Sequence, residues 1–219
     1  MHASPGDLLH RTAGRLSADD HLVRRVRRLQ AVQGPAVTMA FTLPDGLAPE
    51  VFPLAWLVGR WRGHGFVSYP NIPRTAVVQE VVVDHDGGPY LSWSSTLWVA
   101  PEDGGAETDD AAEDRVWGTE TGFWRVPPDR PEGLDASRHP VELLLTDPAG
   151  HLSLYAGAVG NGRIDLVSDL IARTPDAAEV SAATRLLGLV EGRLLWTWDM
   201  AAFGEPLQSY VSAELDRVV

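Results

Sequence analysis

The chain has no cysteine and no lysine among its 219 residues. The absence of cysteine excludes disulfides, thiolate nucleophiles, iron–sulfur clusters, cysteine-ligated zinc and thiolate-bound haem. Because all 18 basic residues are arginine, Schiff-base chemistry is excluded as well. No apolar run approaches the roughly 18 residues of a membrane-spanning helix. The first residues also lack the basic start and apolar core of a secretory signal, so a cytoplasmic location is predicted.

Acidic residues outnumber basic ones, which gives a formal net charge of −12. This charge would repel phosphates, so neither a nucleic acid nor a membrane is expected as a partner. Seven of the 30 acidic residues lie in the segment 101–114, which apart from Pro101 has no apolar side chain larger than alanine. This segment is predicted to be a solvated loop rather than a cation site, because it lacks the ligand spacing of an EF-hand.

Proline and glycine divide residues 1–48 into short pieces, and we interpret this part as an N-terminal extension. It contains a predicted helix that Ser17 caps, with an apolar stripe of Leu22, Val26 and Leu29 and an arginine-rich opposite side. The helix either packs on the domain or binds a partner or membrane surface. A second, short helix is predicted at 49–58, at the start of a single domain spanning 49–219.

From Arg60 onward the pattern is typical of an all-β protein, with short β-rich runs between turn residues. Because the breaks at 86–88, 147–150, 160–162, 191–192 and 203–206 are short enough for hairpins, consecutive strands are expected to be antiparallel neighbours. A ten-stranded up-and-down β-barrel of the lipocalin or fatty-acid-binding-protein kind removes the exposed edges, and it is wide enough to hold a ligand cavity. The predicted strands are 60–69, 75–84, 89–99, 115–126, 140–147, 151–159, 163–173, 178–190, 193–202 and 207–218.

A G-x-W-x-G-x-G pattern, formed by Gly59, Trp61, Gly63 and Gly65, opens the first strand. We interpret it as structural, because glycines at this spacing allow close approach of a neighbouring strand while the indole closes the barrel end. A phosphate-binding loop is not predicted, since no helix follows the glycines. No catalytic triad is recognisable, and neither His64 nor His85 has a second ligand at metal-site spacing, so no metal site is predicted.

Strand 193–202 carries an aromatic stripe on one face, formed by Leu194, Trp196, Trp198 and Met200. Large side chains at alternate positions fit either the lining of a cavity or packing against the N-terminal helices outside the barrel.

Several blocks in order resemble the nitrobindin family over about residues 50–219. They are GRWRGHG, Tyr69-Pro70-Asn71-Ile72, EVVVDHDGGPYLSW, ETGFWR, DLVSDLIART and MAAFGEPLQSYVSAEL. The resemblance implies a fatty-acid-binding-protein-like barrel of ten strands that holds ferric haem through one histidine. It also implies a link to nitric oxide and to the isomerisation of peroxynitrite to nitrate.

Most of the family's functional residues do not carry over to this chain. The family places its axial histidine four residues after a proline in the last strand, and counting from Pro206 leads to Tyr210. Asn71 stands in place of a threonine near the haem, and Trp117 and Gly118 stand in place of a Met-His pair of the distal pocket. Met200, ten residues before the ligand position, is retained.

These residues, Asn71, Trp117, Gly118, Met200 and Tyr210, are therefore predicted to line a cavity that has lost haem-iron ligation. The expected function is binding of a small apolar ligand, with no cofactor and no catalytic residue. The alternative is a ferric haem protein that acts on peroxynitrite or nitric oxide, with Tyr210 as ligand. A tyrosinate ligand needs a cation that lowers its pKa, and strand parity places only Gln208, Ser212 and Glu214 on its face.

Overall fold

The computed structural model describes residues 43–101 and 115–218, which form a closed antiparallel barrel of ten strands. The predicted helix near Ser17, the extension up to residue 42 and residues 102–114 of the acidic segment lie outside the described residues. Each strand pairs with the next along the chain, and β1 pairs with β10 to close the barrel. The predicted fold is therefore confirmed.

All ten predicted strands are present, and the largest difference in a boundary is three residues, at the start of β2. The strands are β1 (Gly59–Tyr69), β2 (Ile72–Asp84), β3 (Tyr90–Val99), β4 (Val116–Arg125), β5 (His139–Thr146), β6 (His151–Gly160), β7 (Arg163–Arg173), β8 (Val180–Val190), β9 (Arg193–Ala202) and β10 (Gln208–Val218).

Two-residue turns join β6 to β7 and β8 to β9. Asn161 and Gly162 both have positive φ, at 52° and 67°, and so do Glu191 and Gly192, at 53° and 83°. Two successive positive φ angles are the conformation whose twist matches that of antiparallel strands. The turn chemistry in the sequence therefore fixes which strands become neighbours.

A 3₁₀ helix, Pro49–Leu57, closes the end of the barrel at which β1 begins. Leu54 and Leu57 are fully buried, and the Trp61 indole Nε1 donates a hydrogen bond to the Leu57 carbonyl at 2.8 Å. A second hydrogen bond connects the helix to β10, since Arg217 Nη2 donates to the Trp56 carbonyl at 2.8 Å. No helix in the described ranges is long and apolar enough to cross a membrane.

The glycines of the G-x-W-x-G-x-G pattern lie against the last strand. A Cβ at Gly63 would come within 2.2 Å of the Glu214 carbonyl oxygen, and one at Gly65 within 2.3 Å of the Ser212 carbonyl oxygen. Both contacts are with backbone, so larger residues would push β10 away from β1. Trp61 in the same pattern is fully buried in the core beside the 3₁₀ helix.

Candidate functional site

A cavity of about 200 Å³ lies inside the barrel near the end at which β1 finishes, away from the 3₁₀ helix. Its wall combines apolar residues with a small number of polar side chains. Trp198 and Met200 of the aromatic stripe line this cavity, and Leu194 and Trp196 are buried in the core beneath it. The stripe on β9 therefore faces the interior of the barrel.

A buried ion pair crosses the interior from β4 to β8. Arg185 Nη1 donates to Glu120 Oε1 at 2.7 Å and Nη2 to Oε2 at 2.6 Å, and the two side chains are only 3% and 10% exposed. The Trp93 indole Nε1 donates a third bond to Glu120 Oε1 at 3.1 Å. Two parallel bonds between fork-shaped groups fix both side chains in one orientation.

Aromatic rings surround the Arg185 guanidinium. Its Cζ lies 4.5 Å from the Trp198 ring centre, 5.1 Å from that of Tyr155 and 5.7 Å from that of Trp196. Burial alone would lower the pKa of this guanidinium, but Glu120 and Tyr155 outweigh burial and the pKa is raised. Arg185 therefore keeps its charge inside the barrel.

A second contact across the interior joins Trp117 of β4 to Tyr210 of β10, where the indole Nε1 donates to the tyrosine hydroxyl at 2.8 Å. Both residues sit at irregularities in strand pairing. The β3–β4 register skips Trp117, and the β9–β10 register skips Tyr210. Such bulges turn a side chain away from its expected direction, and here they bring two side chains from opposite walls together.

Because of the bulge at Tyr210, the residues on its face of the strand differ from those that strand parity predicts. Tyr210 lines the cavity, while Val211 and Leu215 belong to the core, so Ser212 and Glu214 lie on the other face of β10, where Ser212 is nevertheless buried. The rings that contact Tyr210 come from Tyr69 and Trp198 instead, at centroid distances of 6.1 and 5.0 Å. An extra residue in one strand reverses the alternation on one side of it, which parity counting does not detect.

The pKa of the Tyr210 hydroxyl is raised, chiefly because burial disfavours the phenolate, although the Trp117 bond acts in the opposite direction. We therefore expect this phenol to stay protonated near pH 10, where an exposed tyrosine is about half ionised. The measurement is the ultraviolet titration of the intact protein minus that of Tyr210→Phe. A difference curve with its midpoint below pH 10 would contradict this expectation.

His151 is a histidine of the cavity wall, at the start of β6. Its Nδ1 lies 3.2 Å from Asp147 Oδ2, and its Nε2 lies 2.8 Å from the carbonyl oxygen of Ala178. Both ring nitrogens therefore lie against oxygen atoms of the protein rather than against the open part of the cavity. The His151 side chain therefore connects the 147–151 turn to the segment before β8.

Only some of the predicted cavity residues lie at the cavity. Met200 and Tyr210 line the cavity, and Trp117 reaches it through Tyr210. Asn71 is exposed in the turn between β1 and β2, and Gly118 is half-buried with open space where a Cβ would stand. The residues described as lining the cavity do not include Asn71 or Gly118.

Sequence reasoning missed Glu120, Arg185 and His151, which carry most of the polar chemistry of the wall. A signal for Arg185 was present, because it lies between Ala183 and Leu187 at alternate, inward-facing positions of β8. A charged residue on an otherwise apolar strand face requires a buried partner. Within the described residues, no group of three or more histidine and acidic side chains is placed to hold a metal ion. His64 is exposed.

Comparison with known proteins places this geometry in context. The family model for the THAP4-like, heme-binding beta-barrel domain matches residues 50–217. A protein of Beutenbergia cavernae named ferric nitrobindin-like protein is 45% identical over 210 residues, which span 82% of this chain and 100% of that protein. A protein of Nocardioides sp. named peroxynitrite isomerase is 40% identical, over 82% of this chain and 99% of that protein. The crystal structure of Rv2717c from M. tuberculosis matches with a TM-score of 0.63 and 31% identity, covering 79% of this chain and 99% of that one.

Proposed function

The chain belongs to the nitrobindin family of THAP4-like, haem-binding β-barrel domains, and from that premise we propose that it binds a small ligand in its cavity without ligating haem iron. The observation that carries this proposal is the bond between Trp117 and Tyr210. Tyr210 occupies the position that the family resemblance assigns to the axial ligand, and its hydroxyl already receives the indole N–H of the opposite wall.

The donor set of the cavity does not fit iron. A tyrosinate ligand requires a lowered pKa, whereas burial raises the pKa of Tyr210. The His151 imidazole lines the same cavity, but both of its nitrogens face acceptors. In the described residues, neither side chain therefore offers iron a free anionic oxygen or a free imidazole nitrogen.

The space in the barrel supports the same conclusion. The Glu120–Arg185 pair and the Trp117–Tyr210 bond both cross from β4 to the far wall, and Trp196 of β9 donates to Gln79 of β2 at 2.8 Å. A porphyrin would have to displace at least one of these contacts. The cavity that remains, about 200 Å³, is smaller than the roughly 300–1,000 Å³ typical of pockets for drug-sized ligands. A smaller molecule fits it better.

The names of several relatives favour a second candidate function. Proteins named peroxynitrite isomerase are 40% and 37% identical to this chain in Nocardioides sp. and Clavibacter michiganensis. On this alternative the chain is a ferric haem protein that acts on peroxynitrite or nitric oxide. It requires that Tyr210 releases Trp117 and becomes a ligand, or that haem binds without a protein ligand.

Titration of the purified protein with hemin separates the two functions. We expect no saturable shift of the Soret band in the unmodified protein, and the same flat response in Tyr210→Phe. A saturable band that Tyr210→Phe loses would establish tyrosinate ligation and overturn the proposal. A saturable band retained by Tyr210→Phe would overturn it too, because it would show haem held without that side chain.

The cytoplasmic location, the assignment of the G-x-W-x-G-x-G pattern as purely structural, and the absence of nucleic-acid and membrane partners stay predictions from the sequence. The division into an extension and a barrel domain at residue 49 also stays a prediction.

A further inference from the structure

The turn between β9 and β10 holds an aromatic residue in a backbone conformation that aromatic residues rarely adopt. Phe203 and Gly204 have positive φ, at 56° and 79°, and the Glu205 N–H donates to the Ala202 carbonyl at 2.9 Å. Two positive φ angles inside a hydrogen-bonded turn of four residues are typical of type I′ turns, whose central positions favour glycine, asparagine and aspartate. A bulky side chain there costs stability, and such costs are concentrated at functional sites.

The Phe203 ring lies at the boundary between the cavity and solvent. It lines the cavity and is nevertheless 54% exposed. Of the other residues described as lining the cavity, only Thr146 and Ala149 are exposed, and both are smaller. The ring also contacts the buried Tyr69 edge-on, with ring centres 6.1 Å apart and planes at 62°. Phe203 therefore covers part of the cavity entrance.

A second hollow, at the surface of the barrel, adjoins the same ring. Its volume is about 500 Å³, more than the roughly 150 Å³ of a cavity that holds benzene. It is lined by Phe203 together with Glu179, Ser181, Ala202, Gly204 and Glu205, all of which except Ala202 are exposed. Exposed side chains change rotamer within picoseconds to nanoseconds. The hollow therefore gives the ring a place to occupy when it leaves the entrance.

Hydrogen bonds hold the backbone at the base of the turn. The Ala202 N–H donates to the Tyr69 hydroxyl at 2.9 Å, and this hydroxyl donates to the Met200 carbonyl at 3.1 Å. Tyr69 is only 5% exposed, and its ring also contacts Tyr210 of the cavity wall edge-on, at a centroid distance of 6.1 Å. Because Tyr69 is fixed on both sides, movement at the entrance is confined to the Phe203 side chain.

We propose that Phe203 is a gate for the cavity. Its ring covers the entrance while it contacts Tyr69, and a small ligand enters or leaves when the ring rotates into the neighbouring hollow. This inference rests on the proposed function, because it requires a small ligand in the cavity, and it adds the entry route and the residue that controls exchange. An edge-on aromatic contact favours the closed position by about 2-fold to 10-fold, so the gate slows ligand exchange by about that factor.

The exchange of fluorobenzene, followed by fluorine NMR on the full chain, tests the gate. Benzene fits a cavity of about 150 Å³, and this cavity has about 200 Å³. Phe203→Asn removes the ring, and asparagine adopts positive φ readily, so the variant should keep the turn. Its association and dissociation rate constants should both rise by about 2-fold to 10-fold, with Kd changed by less than about twofold, because a gate alters the barrier and not the bound state.

Three further variants separate the gate from general effects of substitution. Phe203→Gly also suits positive φ and should exchange as fast as Phe203→Asn, whereas Phe203→Tyr keeps the ring and should exchange slowly. Glu191→Asn is the matched control. Glu191 also precedes a glycine and has positive φ, at 53°, but its turn joins β8 to β9 at the barrel end that carries the 3₁₀ helix. The control should leave both rate constants unchanged.

Unchanged rate constants in Phe203→Asn and Phe203→Gly would overturn the gate and leave the proposed function intact, because the ligand would then enter elsewhere. A rise confined to the dissociation rate constant would also overturn it, since the ring would then belong to the binding wall. If fluorobenzene binds neither the unmodified protein nor the variants, the cavity takes no apolar ligand of this size, and the gate fails together with the proposed function.

Discussion

Replacement of Glu120 by alanine will lower the free energy of unfolding by about 3–5 kcal/mol. The side chains of Glu120 and Arg185 are 10% and 3% exposed and share two hydrogen bonds, so the variant leaves a guanidinium buried without its counterion. The Trp93 indole loses its acceptor in the same change. Urea unfolding followed by tryptophan fluorescence measures the difference.

Two further variants separate the buried charge from other effects of the substitution. Glu142→Ala removes an ion pair with Arg125, whose side chain is 55% exposed, so it should cost at most about 1 kcal/mol. Replacing both partners, with Glu120→Leu and Arg185→Met together, should recover most of the stability, since no charge is then left buried. A loss below about 1 kcal/mol in Glu120→Ala would show that the guanidinium reaches water, and would contradict a dry ion pair.

Replacement of Tyr210 by histidine together with Trp117 by methionine will give a protein that binds hemin with a saturable Soret band. The first change supplies an imidazole at the position that the family resemblance assigns to the axial ligand. The second removes both the indole N–H that Tyr210 now accepts and a large ring from the interior. The expected result is a saturable Soret band in the double variant and a weaker or absent one in Tyr210→His alone.

Ser153→His, combined with Trp117→Met, is the control for this gain of function. Ser153 also lines the cavity, so the control places a histidine in the same space but at a different position. If the control gains the same band, iron ligation depends only on an available imidazole and not on the position of Tyr210. If the double variant stays without haem, Glu120 and Arg185 rather than Trp117 exclude the porphyrin.

The barrel could be predicted from the sequence because its connections are local. Asn161-Gly162 and Glu191-Gly192 adopt the positive φ angles that a two-residue hairpin requires, so the neighbour of each strand follows from the turn. Gly63 and Gly65 indicated a close strand approach, and they lie against the backbone of β10. Local turn chemistry and alternation are sufficient for a fold made of consecutive hairpins.

The cavity could be predicted only in part, because its contacts join residues far apart in the sequence. Met200 and Tyr210 line it, but strand parity gave Tyr210 the wrong neighbours, since a bulge reverses the alternation. The Glu120–Arg185 pair joins residues 65 positions apart on opposite walls. No local pattern specifies such a pairing; alternation indicates only that each charge faces inward and needs a partner.

Two polar contacts connect β4 with other walls of the barrel. Trp117 donates to the Tyr210 hydroxyl of β10, and Glu120 binds both Nη atoms of Arg185 on β8. Both contacts run through the interior, so they limit the space that is left for a ligand.

The most direct test of the central claim is the haem content of the unmodified protein purified from haem-supplemented cells, measured as pyridine haemochromogen per chain. The account predicts a content close to zero, with Tyr210→Phe indistinguishable from the unmodified protein and the Tyr210→His, Trp117→Met double variant substantially loaded. A content near one haem per chain in the unmodified protein would contradict the account, because it would show that the cavity ligates or encloses haem with Tyr210 in place.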